Sequence, residues 1–525
     1  MPRLAMFRSL AVRNYRLYAL GQLMSNPGTW MQRIAQDWLV LQLSGGSGIA
    51  LGMTTALQFL PMLLFGLWGG ALVDRVDKRR MLVLTQGSMG LLAVALGVLA
   101  TVGAAQVWHV YLFAFALGLI TVLDNPGRQA FVPEMVDRER LSNAIALNSA
   151  SFQLGRVTGP AIAGLLIAWI GSGPVFMVNG LSFGFTIVAL LMIRTGELHR
   201  ADPVPGGKGR IREGLRYVSG RRDLVLLLVL AACVQFFGAN VQNQIALMVN
   251  NVFETGAAAF GVAAAALAVG ALAGALLAAR RERPRLSLVL LGSLGFGVSQ
   301  VVAGAMPGYV SFVVVLVPMG IVFMTYVTTL NATFQLSVDP RMRGRVMSMF
   351  MLVFMGVAPI GAPVVGLLAD AFGPRASLAA GGLVTIAVVS TLGALLARAR
   401  GVGPWDLVTG RISGPEGPHV TEETEVRPES EQSGAAVGAG QTDAAVEHSV
   451  VAEAAGTAET ARALEREAVV RAETATGAGE ETEDGAAAGA DETEEPAGAG
   501  ATASPPSGDG AAPCRRPARE TGARV

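Results

Sequence analysis

The sequence predicts an all-α membrane protein: twelve transmembrane helices in two six-helix halves, followed by a disordered acidic C-terminal tail. Three observations support this. The 525 residues contain twelve apolar runs, each of the length a bilayer requires, about 20 helical residues. The basic residues between those runs crowd onto alternate turns. A weak internal repeat relates the first half to the second at a shift of 202 residues.

The runs lie near 15–43, 49–73, 81–103, 108–129, 141–169, 173–193, 224–251, 257–280, 286–304, 309–334, 344–369 and 376–397. The six turns expected outside are near 44–48, 104–107, 170–172, 252–256, 305–308 and 370–375, and they hold one basic residue, Arg375. Arg33 and Arg156 fall within spans, and the other 28 basic residues up to and including position 400 fall on the opposite side. Lys and Arg bias toward the cytoplasm, so a multi-pass chain in a bacterial plasma membrane with both termini inside is expected.

The net charge of +1 conceals two regions. Up to residue 400 there are 31 basic against 15 acidic side chains, and beyond it 9 against 24. The acidic Ala/Gly/Glu/Thr tail has too little bulk to bury a core. The expected division is an N-terminal half at 1–193, a cytoplasmic linker at 194–223, a C-terminal half at 224–397 and a disordered cytoplasmic tail at 398–525. Within the linker, Ile211 to Val218 reads as a short amphipathic helix lying on the inner leaflet.

The repeat lays Gly118 on Gly320, Asp137 on Asp339, Gly159 on Gly361 and Gly164 on Gly366. Leu165, Leu166 and Gly171 then fall on Leu367, Leu368 and Gly373. Two six-helix halves in parallel repeat are a transporter arrangement. Enzymatic chemistry finds no support. A P-loop needs Gly-Lys followed by Ser or Thr, yet Lys78 follows Asp77 and Lys208 precedes Gly209. His109, His199, His419 and His448 are scattered, and Cys233 and Cys514 form no disulfide framework. No metal, cofactor or nucleic-acid partner is expected.

The turn after the second run carries a motif. Gly70, Leu72 and Asp74, followed by Arg75, Lys78, Arg79 and Leu82, resemble the signature between helices 2 and 3 of the major facilitator superfamily. Asp77 stands where that pattern has its second glycine. The resemblance implies a gating loop, with Asp74 near the amino-terminal end of helix 11 and near Arg345, where the helix dipole favours an anion. In the fifth run, Gly155, Arg156, Gly159, Pro160 and Gly164 resemble the G-x-x-x-G-P-x-x-G motif of proton-coupled exporters in the superfamily. Small residues at that spacing also suit an ordinary helix-packing seam.

Asn125 to Val136, Asn143 to Ser149, Trp30-Met31-Gln32 with Ala35 to Val40, and Arg343 to Ser348 resemble one bacterial branch, the transmembrane secretion effectors. It contains enterobactin-exporter-like and macrolide-efflux-like proteins, and the similarity spans roughly residues 6 to 397. Charge inside a membrane is expensive, about 2.5–3.5 kcal/mol per residue at a helix centre, so Arg33, Asp37, Asp124 and Arg156 are candidate coupling residues. Their alternative is a set of ion pairs that lock helices together: Arg33 and Asp37, like Asp124 and Arg128, are four apart and share a face. Gln32, Gln58, Gln153, Gln235, Asn240, Asn243, Tyr326 and Asn331 would line a cavity for a large amphipathic ligand, or serve as helix-helix hydrogen bonds. Tyr111 to Leu117 lacks the arginine that many superfamily antiporters carry in helix 4, so no complete proton relay is carried over.

The expectation is a monomeric secondary transporter, not an enzyme, exporting small amphipathic molecules by alternating access. Its partners would be the substrate, the lipid bilayer and protons as coupling ion. A facilitator or importer of a nutrient in the same fold, or a non-transporting membrane sensor working through the tail, are the alternatives.

Overall fold

In the computed structural model the apolar runs fold as helices whose limits fall within a few residues of the runs themselves. The structure describes residues 7–199, 210–281, 284–339 and 342–399. The disorder expected of the tail concerns residues that, past Ala399, lie outside this description. The first six long helices are α1 (Arg13–Leu43), α2 (Gly48–Val73), α3 (Lys78–Thr101), α4 (Val107–Met135), α5 (Arg138–Ile170) and α6 (Ser172–Met192). The linker helix is α7 (Arg210–Ser219), at the place where the amphipathic segment was expected. Beyond it come α8 (Arg222–Gly238), α9 (Val241–Leu247), α10 (Ala257–Ala279), α11 (Leu286–Ala305), α12 (Tyr309–Ser337), α13 (Arg343–Gly356), α14 (Ala358–Phe372) and α15 (Pro374–Ala399).

Two pairs of these make single membrane passages with a break inside. Residues 239–240 interrupt α8 and α9, and a π-helical stretch, Met248–Val252, finishes that passage. Val357 interrupts α13 and α14 just before Pro359, whose ring removes a backbone donor. Asn240 sits between the two breaks and donates from Nδ2 to the Phe236 carbonyl at 2.8 Å and the Ala358 carbonyl at 3.5 Å.

Among the described residues, eleven passages are long and apolar enough to cross a bilayer. The twelfth, α1, is long enough at 31 residues but too polar, with Asn14, Gln22, Asn26, Gln32, Gln36 and Asp37 all buried on it. In lipid such groups must be satisfied from within the protein. Accordingly α1 is packed between α5 and α6, and its amides find partners on these and other neighbouring segments. Asn14 Nδ2 donates to the Arg194 carbonyl at 3.1 Å, Asn26 Nδ2 to Ser151 Oγ at 3.0 Å, and Asn179 of α6 donates to Gln32.

The sequence repeat marks equivalent helix crossings. Gly118 of α4 lies against the Gln58 carbonyl of α2, and Gly320 of α12 against the Leu267 carbonyl of α10. Gly159 of α5 meets α1 at Pro27 and Trp30, and Gly361 of α14 meets α8 at Phe236. Gly164 of α5 faces Gly261 of α10, and Gly366 of α14 faces Gly48 of α2. Gly171 and Gly373 end α5 and α14 with φ of 82° and 87°, a left-handed conformation that side chains disfavour.

The last pair of crossings joins the two sets of six helices, and only toward one end. That end carries the turns with few charges, 44–47, 102–106 and 253–256, and is called the charge-poor end here. A Cβ at Gly164 would stand 2.8 Å from the Gly261 Cα, and a Cβ at Gly366 would overlap the Gly48 carbonyl. Trp38 of α1 stacks on Phe260 of α10 at 6.2 Å, and Asn251 Nδ2 donates to the Gly46 carbonyl at 2.8 Å. Toward the opposite, basic end α2 loses its neighbours: the face that meets the second set continues through Leu63, against Gly356, to Gly66 and Gly70. Among the described residues, the nearest atoms to a Cβ at Gly66 belong to Met62 of its own helix, and a Cβ at Gly70 would meet nothing within 4 Å. Among the described residues the bundle is sealed at the charge-poor end and parted at the basic end.

Gly366→Val should therefore hold the seal open. A thiol introduced by Thr55→Cys, just beneath the seal, should gain reactivity toward an impermeant maleimide added from the charge-poor side. Unchanged labelling would show that closure does not depend on this contact.

Candidate functional site: the seam between the two sets of helices

The seam is built from one face each of α1, α2 and α5. On α5 the residues Gln153, Arg156, Pro160 and Gly164 recur at three- and four-residue spacing, so they share a face. Pro160 and Gly164 meet Gly261 of α10, so Arg156 and Gln153, one and two turns lower, look toward the part where the bundle is open. On α2 the equivalent face runs Gly48, Gly52, Thr55, Phe59 and Leu63. Thr55 bonds Asn243 of α9 at 2.9 Å, and Phe59 lies one turn below it.

Between these faces stands Trp30 of α1. The Arg156 guanidinium lies 5.7 Å from its ring centroid, and that of Arg33 lies 5.7 Å away as well. Arg33 is also 4.9 Å from the Phe59 ring, and Phe152 meets Trp30 edge-on at 5.7 Å. A desolvated guanidinium over an aromatic face gains about 2 kcal/mol or more. Gly155 and Gly159 make this possible, because they let α5 approach α1 at Asn26, Pro27 and Trp30. The exporter-type motif in α5 thus does two things here: its first two glycines seat α5 on α1, and Gly164 forms the seal with α10.

Asp37 shares the Arg33 face of α1, one turn nearer the seal, and is 4% exposed. It makes no hydrogen bond and no ion pair among the described residues, and Arg33 is the cation whose field it feels. Asp124 contrasts with it. Thr85 Oγ1 and Gln86 Nε2 each donate to Asp124 Oδ1 at 2.7 Å, and Arg128 Nε donates to Oδ2 at 2.6 Å. Arg128 Nη1 reaches on to Gln22 Oε1 at 2.6 Å, so the network ties α1, α3 and α4 together. Three of the roughly four lone-pair directions of Asp124 are thus taken up, the geometry of a structural ion pair.

A family model described as transmembrane secretion effector matches residues 4–402. The chain belongs to that family of the major facilitator superfamily. The staphyloferrin A transporter of Staphylococcus aureus is 24% identical over 372 residues, 69% of this chain and 91% of the relative. The multidrug efflux pump Tap of Mycolicibacterium fortuitum is 27% identical over 375 residues, again 69% and 91%. Macrolide efflux protein A of Streptococcus pyogenes is 25% identical over 337 residues, 62% and 82%. Solved structures share the fold. A bacterial homologue of the human lysosomal transporter Spinster, inward-facing and unoccupied, aligns with a TM-score of 0.55 at 18% identity, covering 76% of this chain and 97% of that one. The nucleoside transporter NupG aligns at 0.58 with 10% identity, covering 73% and 99%.

In this secretion effector the loop between α2 and α3 is divided in its roles. Lys78 Nζ pairs with Glu134 of α4 at 2.7 Å, and Arg79 donates to the Leu190 and Leu191 carbonyls of α6 at 2.6 and 2.8 Å. Both therefore staple α3 to its own set of helices. Asp77, in place of the superfamily's glycine, caps α3 by accepting from the Arg80 N–H at 3.0 Å. Asp74 and Arg75 are exposed at the end of α2. Arg345 is not brought to Asp74; its Nη1 pairs with Glu213 of α7 at 2.8 Å.

Of the other residues expected at a cavity, Gln32 is engaged by Asn179, and Asn240 holds the two helix breaks together. Tyr326 is fully buried where α12 packs on Gly292 of α11, and Asn331 Oδ1 accepts from Gln335 at 3.2 Å on its own helix. The structure does not bring Tyr326 and Asn331 to the Trp30 cluster. Sequence reasoning passed over Phe59 and Phe152, and used Trp30 only as part of a family motif. It also missed Asp370, an isolated acid in a turn region scanned for basic residues alone.

Asp124→Ala would leave the half-buried Arg128 without its carboxylate and should lower the stability of the purified transporter by about 3 kcal/mol. Asp37→Asn removes no hydrogen bond and should leave the unfolding midpoint almost unchanged. Thermal unfolding of the two variants in detergent checks the contrast.

Proposed function

We propose that this transporter exports small amphipathic molecules from the bacterial cytoplasm by alternating access, in exchange for protons. The observation that carries the reading is Asp37: a buried carboxylate without a hydrogen-bond or ion-pair partner among the described residues, one turn from Arg33, beside a seam that those residues seal at one end and leave parted at the other. The positive-inside bias makes the basic end cytoplasmic, so the conformation described is inward-facing and both termini of the membrane domain lie inside. The two halves, 1–193 and 224–397, rock about the seam while the linker 194–223 joins them. Efflux by the Tap and macrolide relatives supports export as the direction. Since one chain supplies the whole seam, a monomer suffices.

Substrate enters from the basic end and rests against Trp30, Phe59 and Phe152, with Arg33, Arg156 and Gln153 supplying polar contacts. Asp37 carries the proton. A carboxylate holds its proton more tightly in a dry site and less tightly when a guanidinium approaches. Rocking that alters the spacing of Arg33 or Arg156 from Asp37 would thus load the proton on one face and release it on the other. Once the basic end closes, Asp74 meets the amino-terminal end of α13, where unpaired backbone N–H groups favour an anion. Arg345 then exchanges Glu213 for Asp74.

Expression of the full chain in cells lacking their own pumps should lower accumulation of a macrolide, and a protonophore should restore it. Asp37→Asn should remove that pH-gradient dependence, reducing efflux at least tenfold. Raised accumulation on expression would instead identify an importer. Normal gradient-driven efflux by Asp37→Asn would move the proton site elsewhere.

Asp74→Asn should slow efflux severalfold at normal protein level in the membrane. Unchanged efflux in that variant would remove Asp74 from the gate.

A further inference from the structure

The strongest unused feature is a carboxylate that crosses the seal. Asp370 stands in the last turn of α14, yet all of its described bonds go to α2. Gly48 N–H donates to Asp370 Oδ1 at 2.5 Å, Ile49 N–H to Oδ2 at 2.9 Å, and Ser47 Oγ to Oδ2 at 3.0 Å. The Ser47 hydroxyl also accepts from the Ala50 N–H at 3.3 Å, so the first turn of α2 is capped from its own chain and from the opposite half together.

The placement is unfavourable for α14 alone. A negative charge in the last turn of a helix opposes the partial negative charge of that terminus. At the start of α2 the same charge meets free N–H groups and a positive terminus, and charge-assisted bonds are roughly twice as strong as neutral ones. The carboxylate therefore gains most of its stabilisation only while α14 touches α2.

Asp74 occupies the reciprocal position. It is the C-cap of α2, again an acid at the wrong end of its own helix, and its side chain is exposed and makes no bond among the described residues. The two passages run antiparallel, so each acid stands level with the start of the other passage: Asp370 by Gly48, Asp74 by Arg343.

We infer that Asp370 is a gating residue, the latch of the charge-poor end, and that Asp370 and Asp74 are alternately capped by the opposite helix as the halves rock. This rests on the alternating-access reading but not on any substrate. With the halves closed as described, Asp370 is satisfied and Asp74 is not. In the opposite state the assignments reverse. Each acid penalises the conformation in which it is left at its own helix terminus, which gives two states of similar free energy without a stable midpoint.

The test is the distance between spin labels in the full chain, reconstituted in lipid without substrate. One pair reports the charge-poor end, at Gly103 and Gly308, and another the basic end, at Asp77 and Arg285. Asp370→Ala should raise the ratio of open to closed charge-poor ends about tenfold, the loss of a charged helix cap, with matching closure of the basic end. Asp370→Glu should restore much of the closed population, and Ser47→Ala should reproduce a smaller shift in the same direction. Asp370→Ala combined with Asp74→Ala should return the ratio toward that of the unmodified chain. Unchanged distances in Asp370→Ala overturn the latch. Should that variant fail to fold, unchanged distances in Ser47→Ala overturn it equally. Because no transport is measured, failure of the latch and failure of the export reading are separable: distances that shift as expected in a chain without efflux leave Asp370 in place.

Discussion

The contact between backbones at glycine, where α2 crosses α14 and α5 crosses α10, is the constraint on which the other features depend. Hydrocarbon tails are as apolar as leucine, so helices in a bilayer gain little from burying apolar side chains against each other. They gain from close packing and from polar contacts, and both need short interaxial distances. Gly48, Gly52, Gly164, Gly261 and Gly366 supply that distance between the halves. Side-chain packing of ordinary bulk would have to deform in order to open and close. Flat contacts at glycine can separate as rigid surfaces, which suits a seam that must form and part repeatedly.

Polar groups follow the same division. Within the first half they are paired and fixed: Asp124 with Thr85, Gln86 and Arg128, Lys78 with Glu134, Gln32 with Asn179. Beside the open part of the seam, some are held by rings or left with spare capacity, as with Arg33 over Phe59 and Trp30, and Asp37 beside it. A buried group that is fully bonded defines the half as one body. A buried group that is not can respond to what enters. The difference separates Asp37 from Asp124, although both are carboxylates buried inside the bundle.

The polar helix α1 joins these two roles. One side of it is stitched to α5 and α6 through Asn26, Gln32 and the close approach of Gly155 and Gly159. Its other side presents Trp30, Arg33 and Trp38 to the seam. Its composition alone would argue against a membrane passage. It spans because neighbouring helices satisfy its amides and shield them from lipid, which is a property of the bundle and not of the segment.

Helix number, limits and order were legible in the sequence because hydrocarbon thickness and charge bias act on local stretches of chain. The repeat was legible too: Gly118, Gly159 and Gly164 matched their counterparts because equivalent crossings in two similar halves impose the same steric limit at equivalent positions. The loop motif and the α5 motif located the right segments. Which residues in them act on the seam was not legible. Lys78 and Arg79 were fixed to α4 and α6, Asp77 became a helix cap, and Tyr326 turned inward behind α11. Rotation of each helix about its axis is set by packing against neighbours distant in sequence, so depth could be counted along the chain while direction could not. Asp370 shows the limit most plainly. In sequence it is one acid in a turn, and only the meeting of α14 with α2, over 300 residues apart, gives its charge a partner.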